Sequence, residues 1–208
     1  MSVPPTVVSF YAGDPVYTEY ASRLEKSCVE HGVEHLIVPL TTQVTDWVEL
    51  TNLKARFILA TMLQLQKPLL WIDADGMLMT RPTLLDDCEA DFAVYAKPRP
   101  NPWQPIGRER MHLPTKWPAK LGSKWFLSGT VFFNSTAGGV TILHRWASMA
   151  REDSRAYEQY QLQEAWCDTR PNTLWLPEKY CQVRRTKPDT VIRHDLASTK
   201  LKVKAVRR

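Results

Sequence analysis

Two carboxylates one residue apart, Asp73 and Asp75, end the apolar run of the segment Leu69-Leu-Trp-Ile-Asp-Ala-Asp-Gly-Met-Leu-Met. Two acids behind a run this hydrophobic repel each other and are expensive to desolvate unless a cation joins them. Oxygen ligands of this kind suit Mg²⁺ or Mn²⁺, which would then hold a diphosphate on its other side. In extended chain, positions i and i+2 point the same way. Both side chains are therefore expected to face the crevice beyond the strand end, where open α/β sheets bind ligands. The plain alternative is a strand-end turn, for which Asp and Gly are ordinary residues.

The elements that must position this pair are readable from periodicity. Thr6 to Phe10, β-branched and aromatic, predicts a first strand, and Ala12-Gly13-Asp14-Pro15 a turn. Tyr17, Tyr20, Ala21, Leu24 and Cys28 recur at helical steps, with Gly32 where a helix end favours a left-handed residue. His35 to Leu40 reads as a second strand. Asp46 can cap a helix that carries Leu50, Leu53, Phe57, Leu63 and Leu65 and ends before Pro68. Leu69 to Ile72 fits a central strand buried on both faces. Further strands are expected at Asp91 to Ala96, at Thr130 to Phe133 opened by Ser128-Gly129, at Thr173 to Leu176 and at Val191 to Arg193. Helices are expected at Val140 to Ala150 and Tyr157 to Trp166. This alternation predicts a single-domain α/β fold over residues 1–208, with a mixed, mainly parallel sheet sandwiched by helices.

Composition supports that reading. A chain of 208 residues, 44% hydrophobic, buries enough surface for a full core. This excludes disorder as the dominant state. No window approaches the roughly 18 uninterrupted apolar residues of a membrane span, and the N-terminus lacks the basic and apolar regions of a signal peptide. A cytoplasmic protein is the expectation. Cys28, Cys88, Cys167 and Cys181 form no CxxC pair and read as reduced, mostly buried thiols. The formal charge of +5 is unevenly spread. Residues 97–124 carry seven Lys/Arg against Glu109, with six of the 15 prolines, and residues 184–208 carry nine against Asp189 and Asp195; the rest of the chain is acidic. Trp103, Trp117 and Trp125 alternate with the basic residues of the first segment. A surface that stacks rings and holds phosphates has this composition, which points to an anionic partner.

Trp71-Ile-Asp-Ala-Asp resembles the DxD motif of glycosyltransferases with the A-type nucleotide-sugar fold, above all the retaining enzymes related to glycogenin and bacterial galactosyltransferases. In that family a late histidine completes the metal site, followed by a small residue three positions later and a lysine six positions later. Here His194, Ala197 and Lys200 stand at those offsets. Ala197 replaces the usual glycine, and Leu201-Lys202 stands where Pro-Trp is frequent. The resemblance implies that Asp73, Asp75 and His194 hold Mn²⁺ or Mg²⁺ and that Lys200 meets the diphosphate. It also implies that Tyr11, Ala12 and Gly13 meet the nucleotide base, and that Lys54 and Arg56 meet the donor. Phe126-Leu-Ser-Gly-Thr-Val-Phe-Phe-Asn, with Ser128 and Gly129, resembles the strand under the acceptor pocket; Glu158-Gln159 resembles a later catalytic pair. The implied activity is transfer of a sugar from a nucleoside diphosphate sugar, UDP-sugar favoured, to an acceptor hydroxyl: on a hydroxymethylated base of DNA, as in some phage enzymes, or on a saccharide, a lipid-linked glycan or a protein.

Two other classes compete. Ile72-Asp-Ala-Asp-Gly also resembles the first motif of haloacid-dehalogenase-like phosphohydrolases, but Met77 stands in place of the Thr, and two strands precede a motif that normally opens the domain. A non-catalytic nucleic-acid-binding module would account for the basic tail and leave the paired aspartates without a use.

Overall fold

The structure, a computed structural model, describes residues 3–12, 15–42, 44, 46–98, 124–183 and 186–196. Strand β1 (Thr6–Tyr11) leads into helix α1 (Pro15–Glu30), strand β2 (His35–Pro39), helix α2 (Trp47–Leu65) and strand β3 (Leu69–Ile72). Asp46 caps α2, its carboxylate accepting from the backbone N–H groups of Val48 and Glu49. Gly32 takes the left-handed conformation, φ 62°, just beyond α1. β1 pairs in parallel with both β2 and β3. The chain therefore leaves β1 to one side and returns on the other, which opens a crevice at the C-terminal ends of β1 and β3.

Strands β4 (Gly76–Leu78), β5 (Phe92–Pro98) and β6 (Lys124–Phe133) follow, then helices α3 (Ala137–Glu152) and α4 (Glu158–Thr169) and strands β7 (Thr173–Trp175), β8 (Gln182–Val183) and β9 (Ile192–His194). The main sheet has the order β2-β1-β3-β6-β5-β7, with three of its five pairings parallel. This is the mixed, mainly parallel α/β architecture that the alternation of elements predicts. A second sheet, β4-β9-β8, was not foreseen. Its strand β9 answers to the one expected at Val191 to Arg193, but β4 and β8, three and two residues long, are too short for a period of two to register.

Alternate residues of β3 enter two different cores, as a strand buried on both faces requires. Leu69 and Trp71 join Ile58, Met62, Leu143 and Trp146 beneath α2, α3 and α4. Leu70 and Ile72 join Leu24 and Cys28 of α1 and Leu78 and Ile192 of the small sheet. The cysteines are free thiols, with Cys28, Cys167 and Cys181 buried. Burial pushes the Cys28 thiol up to about 12, with Glu25 adding to the shift.

β6 is longer than the predicted Thr130 to Phe133, so Ser128-Gly129 lies inside the strand and does not open it. The pairing explains what those residues do. Opposite β5, the register jumps from Val94↔Val131 to Tyr95↔Leu127. Ser128, Gly129 and Thr130 are thereby released from β5, and bulges of this kind re-aim side chains beside functional sites.

Candidate active site

The paired aspartates follow β3 in a tight turn and not, as expected, in extended chain: the Gly76 N–H donates to the Asp73 carbonyl at 2.7 Å. Both still line one cleft of about 300 Å³ at the ends of β1 and β3, because β4 leaves the turn at Gly76 and pairs antiparallel with β9. That pairing brings His194 opposite Gly76. His194 is buried; its Nδ1 lies 3.4 Å from Asp75 Oδ1, and its Nε2 lies 2.8 Å from Thr130 Oγ1 in the bulge of β6. Burial alone would lower the imidazole pKa, but hydrogen bonding to Asp75 and Cys181 outweighs it and raises the value to about 10. Asp195 fixes the end of β9, donating its N–H to the Asp75 carbonyl at 3.1 Å and pairing with Arg23 of α1 at 3.0 Å.

A second cluster forms the floor. Lys54 Nζ lies 2.8 Å from Asp73 Oδ1, 3.2 Å from Glu158 Oε1 and 3.3 Å from the Ser128 carbonyl, with the Trp71 ring centroid 5.3 Å away. The Trp71 indole also donates to Asp73 Oδ1 at 2.7 Å, and the Ser128 hydroxyl donates to Glu158 Oε1 at 2.7 Å. Burial would lower the Lys54 pKa; the two carboxylates reverse that and hold it above the ordinary lysine value. For Glu158 burial wins, pushing its carboxyl up against the pull of Lys54 and Ser128. One cation thus serves two acids, and the more deeply buried acid carries the cost. Glu158 Oε2 and Gln159 Nε2 are buried and find no hydrogen-bond partner among the described residues, although both residues line the cleft.

The sequence expectations divide accordingly. Tyr11, Ala12, Lys54, Asp73, Asp75, Ser128, Gly129, Glu158, Gln159 and His194 all line the same cleft. Arg56 does not. It lies on the far side of α2, against α3, because positions two apart on a helix point about 200° apart. The same geometry exposes a stripe that sequence reading passed over. Trp47, Leu50, Thr51 and Lys54 have the i, i+3, i+4, i+7 spacing of one helix face, and that face lines the cleft. Trp47 stacks on Tyr157, ring centroids 6.1 Å apart. Tyr17 and Cys181 also line the cleft and carried no signal in the sequence. Gly13, Ala197, Lys200, Trp103, Trp117 and most of the two basic segments lie outside the described residues.

The donor set fits a hard divalent cation by type, with two carboxylates and an imidazole. The backbone leaves room between them. A Cβ on Gly129 would sit 3.4 Å from Asp73 Oδ2 and 3.2 Å from His194 Cε1, so the absence of a side chain there keeps a gap between these two groups. Among the described residues, no three His, Cys, Asp or Glu side chains are gathered closely enough to hold an ion without adjustment. His194 is turned to Asp75 and Thr130, and Asp73 Oδ1 to Lys54 and Trp71.

No protein-family model and no curated protein matches the sequence. Solved structures do match in fold. A glycosyltransferase involved in the glycosylation of the major capsid of PBCV-1 aligns with a TM-score of 0.61 at 14% identity, covering 95% of this chain and 96% of that one. The apo form of the glycosyltransferase GlyE of Streptococcus pneumoniae TIGR4 aligns with a TM-score of 0.53 at 14% identity, covering 91% of this chain, which spans about half (54%) of that protein. Among the described residues no helix is long and apolar enough to cross a membrane. The chain has a glycosyltransferase fold.

Proposed function

We propose that the protein is a metal-dependent glycosyltransferase that moves a hexosyl or pentosyl unit from a nucleoside diphosphate sugar, UDP-sugar in preference, to an acceptor hydroxyl. One observation carries the reading: Asp75 and His194, 119 residues apart in sequence, meet beside Asp73 in a cleft at the strand ends of this fold.

In this reading Asp73, Asp75 and His194 hold Mn²⁺ or Mg²⁺. When bound, the cation supplies Lewis-acid stabilisation of the charge that develops on the departing diphosphate. Lys54 and the Trp71 indole together fix the Asp73 carboxylate in place. Glu158 Oε2 offers an acceptor and Gln159 Nε2 a donor to sugar hydroxyls; each unpaired buried group costs about 1–3 kcal/mol, which a ligand hydroxyl would offset. Tyr11, Trp47 and Tyr157 wall the cleft and exclude water from the breaking bond. The family resemblance, in which a lysine six positions after the histidine meets the diphosphate, gives that role to Lys200. The acceptor is a hydroxyl of a saccharide, a glycan, a protein or a hydroxymethylated base of DNA; the PBCV-1 neighbour is involved in glycosylation of a capsid, which lends weight to a protein-borne acceptor.

Screening nucleotide sugars for manganese-dependent hydrolysis or transfer, read as nucleoside diphosphate release, tests the class and identifies the donor. Asp75→Ala is expected to lower that turnover by about 10²-fold or more while circular dichroism stays that of the wild type. Near-normal activity in this variant defeats the assignment. Release of inorganic phosphate from a generic phosphomonoester, without nucleotide-sugar turnover, would favour a phosphohydrolase instead.

A further inference from the structure

On the face of α2 opposite the cleft, a groove of about 970 Å³ runs between α2 and α3. Its floor is apolar, with Leu53, Phe57, Ala60 and Leu63 from α2, and Leu63 is 54% exposed. Thr141, His144, Ser148 and Arg151 of α3 form the opposite bank. The two rows span about ten residues each, roughly 15 Å at helical rise, or about three turns. Arg56 and Arg151 are exposed on its rims, and among the described residues neither meets a carboxylate. Among the described residues no acid lines the groove. Two carboxylates of the neighbouring helices are engaged: Asp168 of α4 by Arg145 at 2.8 Å and Glu152 of α3 by the Ser148 hydroxyl at 2.9 Å.

We infer that this groove docks an acidic amphipathic helix of a partner protein, with apolar side chains at i, i+3 or i+4 and i+7 on its floor and flanking carboxylates against Arg56 and Arg151. A concave apolar channel between two helices is the shape that an amphipathic helix fills, and unpaired arginines along its rims select the sign of the flanks. The chain's own segments outside the described residues are a poor match in charge. Residues 99–123 hold five Lys/Arg against one Glu, and residues 197–208 hold five Lys/Arg and no acid, so both would be repelled.

The test uses the full chain and a fluorescein-labelled helical peptide of about fifteen residues, with Leu at i, i+4, i+7 and i+11, Glu on the flanks and Ala elsewhere. Fluorescence anisotropy is expected to give saturable micromolar binding that weakens with salt. The Kd should rise about tenfold or more in Arg56→Glu/Arg151→Glu and, separately, in Leu63→Glu, each checked for an unchanged thermal melt. A peptide with Lys in place of Glu, and one with the leucines scattered, should not bind. The inference is overturned if the peptide fails to bind at low salt, if the scattered peptide binds equally, or if both variants retain the wild-type Kd. It is also overturned if the substitutions abolish self-association in sedimentation, or binding to phosphatidylglycerol vesicles, while leaving peptide binding intact.

Discussion

Lys54 directs its ammonium hydrogens inward, to Asp73, Glu158 and the Ser128 carbonyl. All three are engaged there, so within the site the residue holds two acids together. Glu158 and Lys54 are both almost fully buried, whereas the Asp73 side chain is 38% exposed. Removing the cation strands Glu158 in particular. Lys54→Met is expected to destabilise the fold by about 3–5 kcal/mol in denaturant unfolding, the usual cost of breaking a buried pair from one side. Adding Glu158→Gln should recover part of that loss, with a coupling of about 0.5–3 kcal/mol. Additive effects of the two substitutions would mean that the pair does not interact as its 3.2 Å contact indicates.

Gly76 shows how an element governs a residue it does not contain. A Cβ there would clash with Ile72 Cγ2 and sit 3.0 Å from the Asp73 carbonyl and 3.2 Å from His194 Cε1, so the glycine lets β4 and β9 close on the aspartate turn. Gly76→Ala should cost about 1–3 kcal/mol by overpacking, and sugar-nucleotide turnover should fall further than the lost stability explains. A variant with wild-type melting temperature and turnover would show that the close approach is unimportant. The large elements were legible because each obeys one strong period: the β3 run, the Asp46 cap and the α1 repeat all stand where the spacing put them. The aspartate pair was legible from chemistry, since two acids behind Leu69 to Ile72 need a use. What stayed hidden depends on pairing between distant segments. The bulge that frees Ser128 to Thr130 is a relation between β5 and β6, invisible in either strand alone. The α2 stripe Trp47, Leu50, Thr51 and Lys54 follows helical spacing but looks identical whether it faces a core or a cleft, and Arg56, which the family resemblance set at the donor together with Lys54, is turned by helix geometry to the other side of α2.

At the scale of the molecule, the charge is divided between an acidic body and two basic segments, and this division bears on the acceptor. If the acceptor is DNA, the full chain should bind duplex at low salt, and log K should fall linearly and steeply with log salt as phosphate counterions are released. An absence of low-salt binding removes DNA and leaves saccharide or protein hydroxyls.

The pairing of β4 with β9 joins Met77 to Arg193 and sets the imidazole against the aspartate turn. During synthesis, therefore, the first two helices and three strands can emerge from the ribosome and collapse while the cleft is still missing a wall. Residues 192–194 must clear the exit tunnel before His194 can meet Asp75, so a nascent chain stalled short of them would be folded in large part with its cleft unfinished.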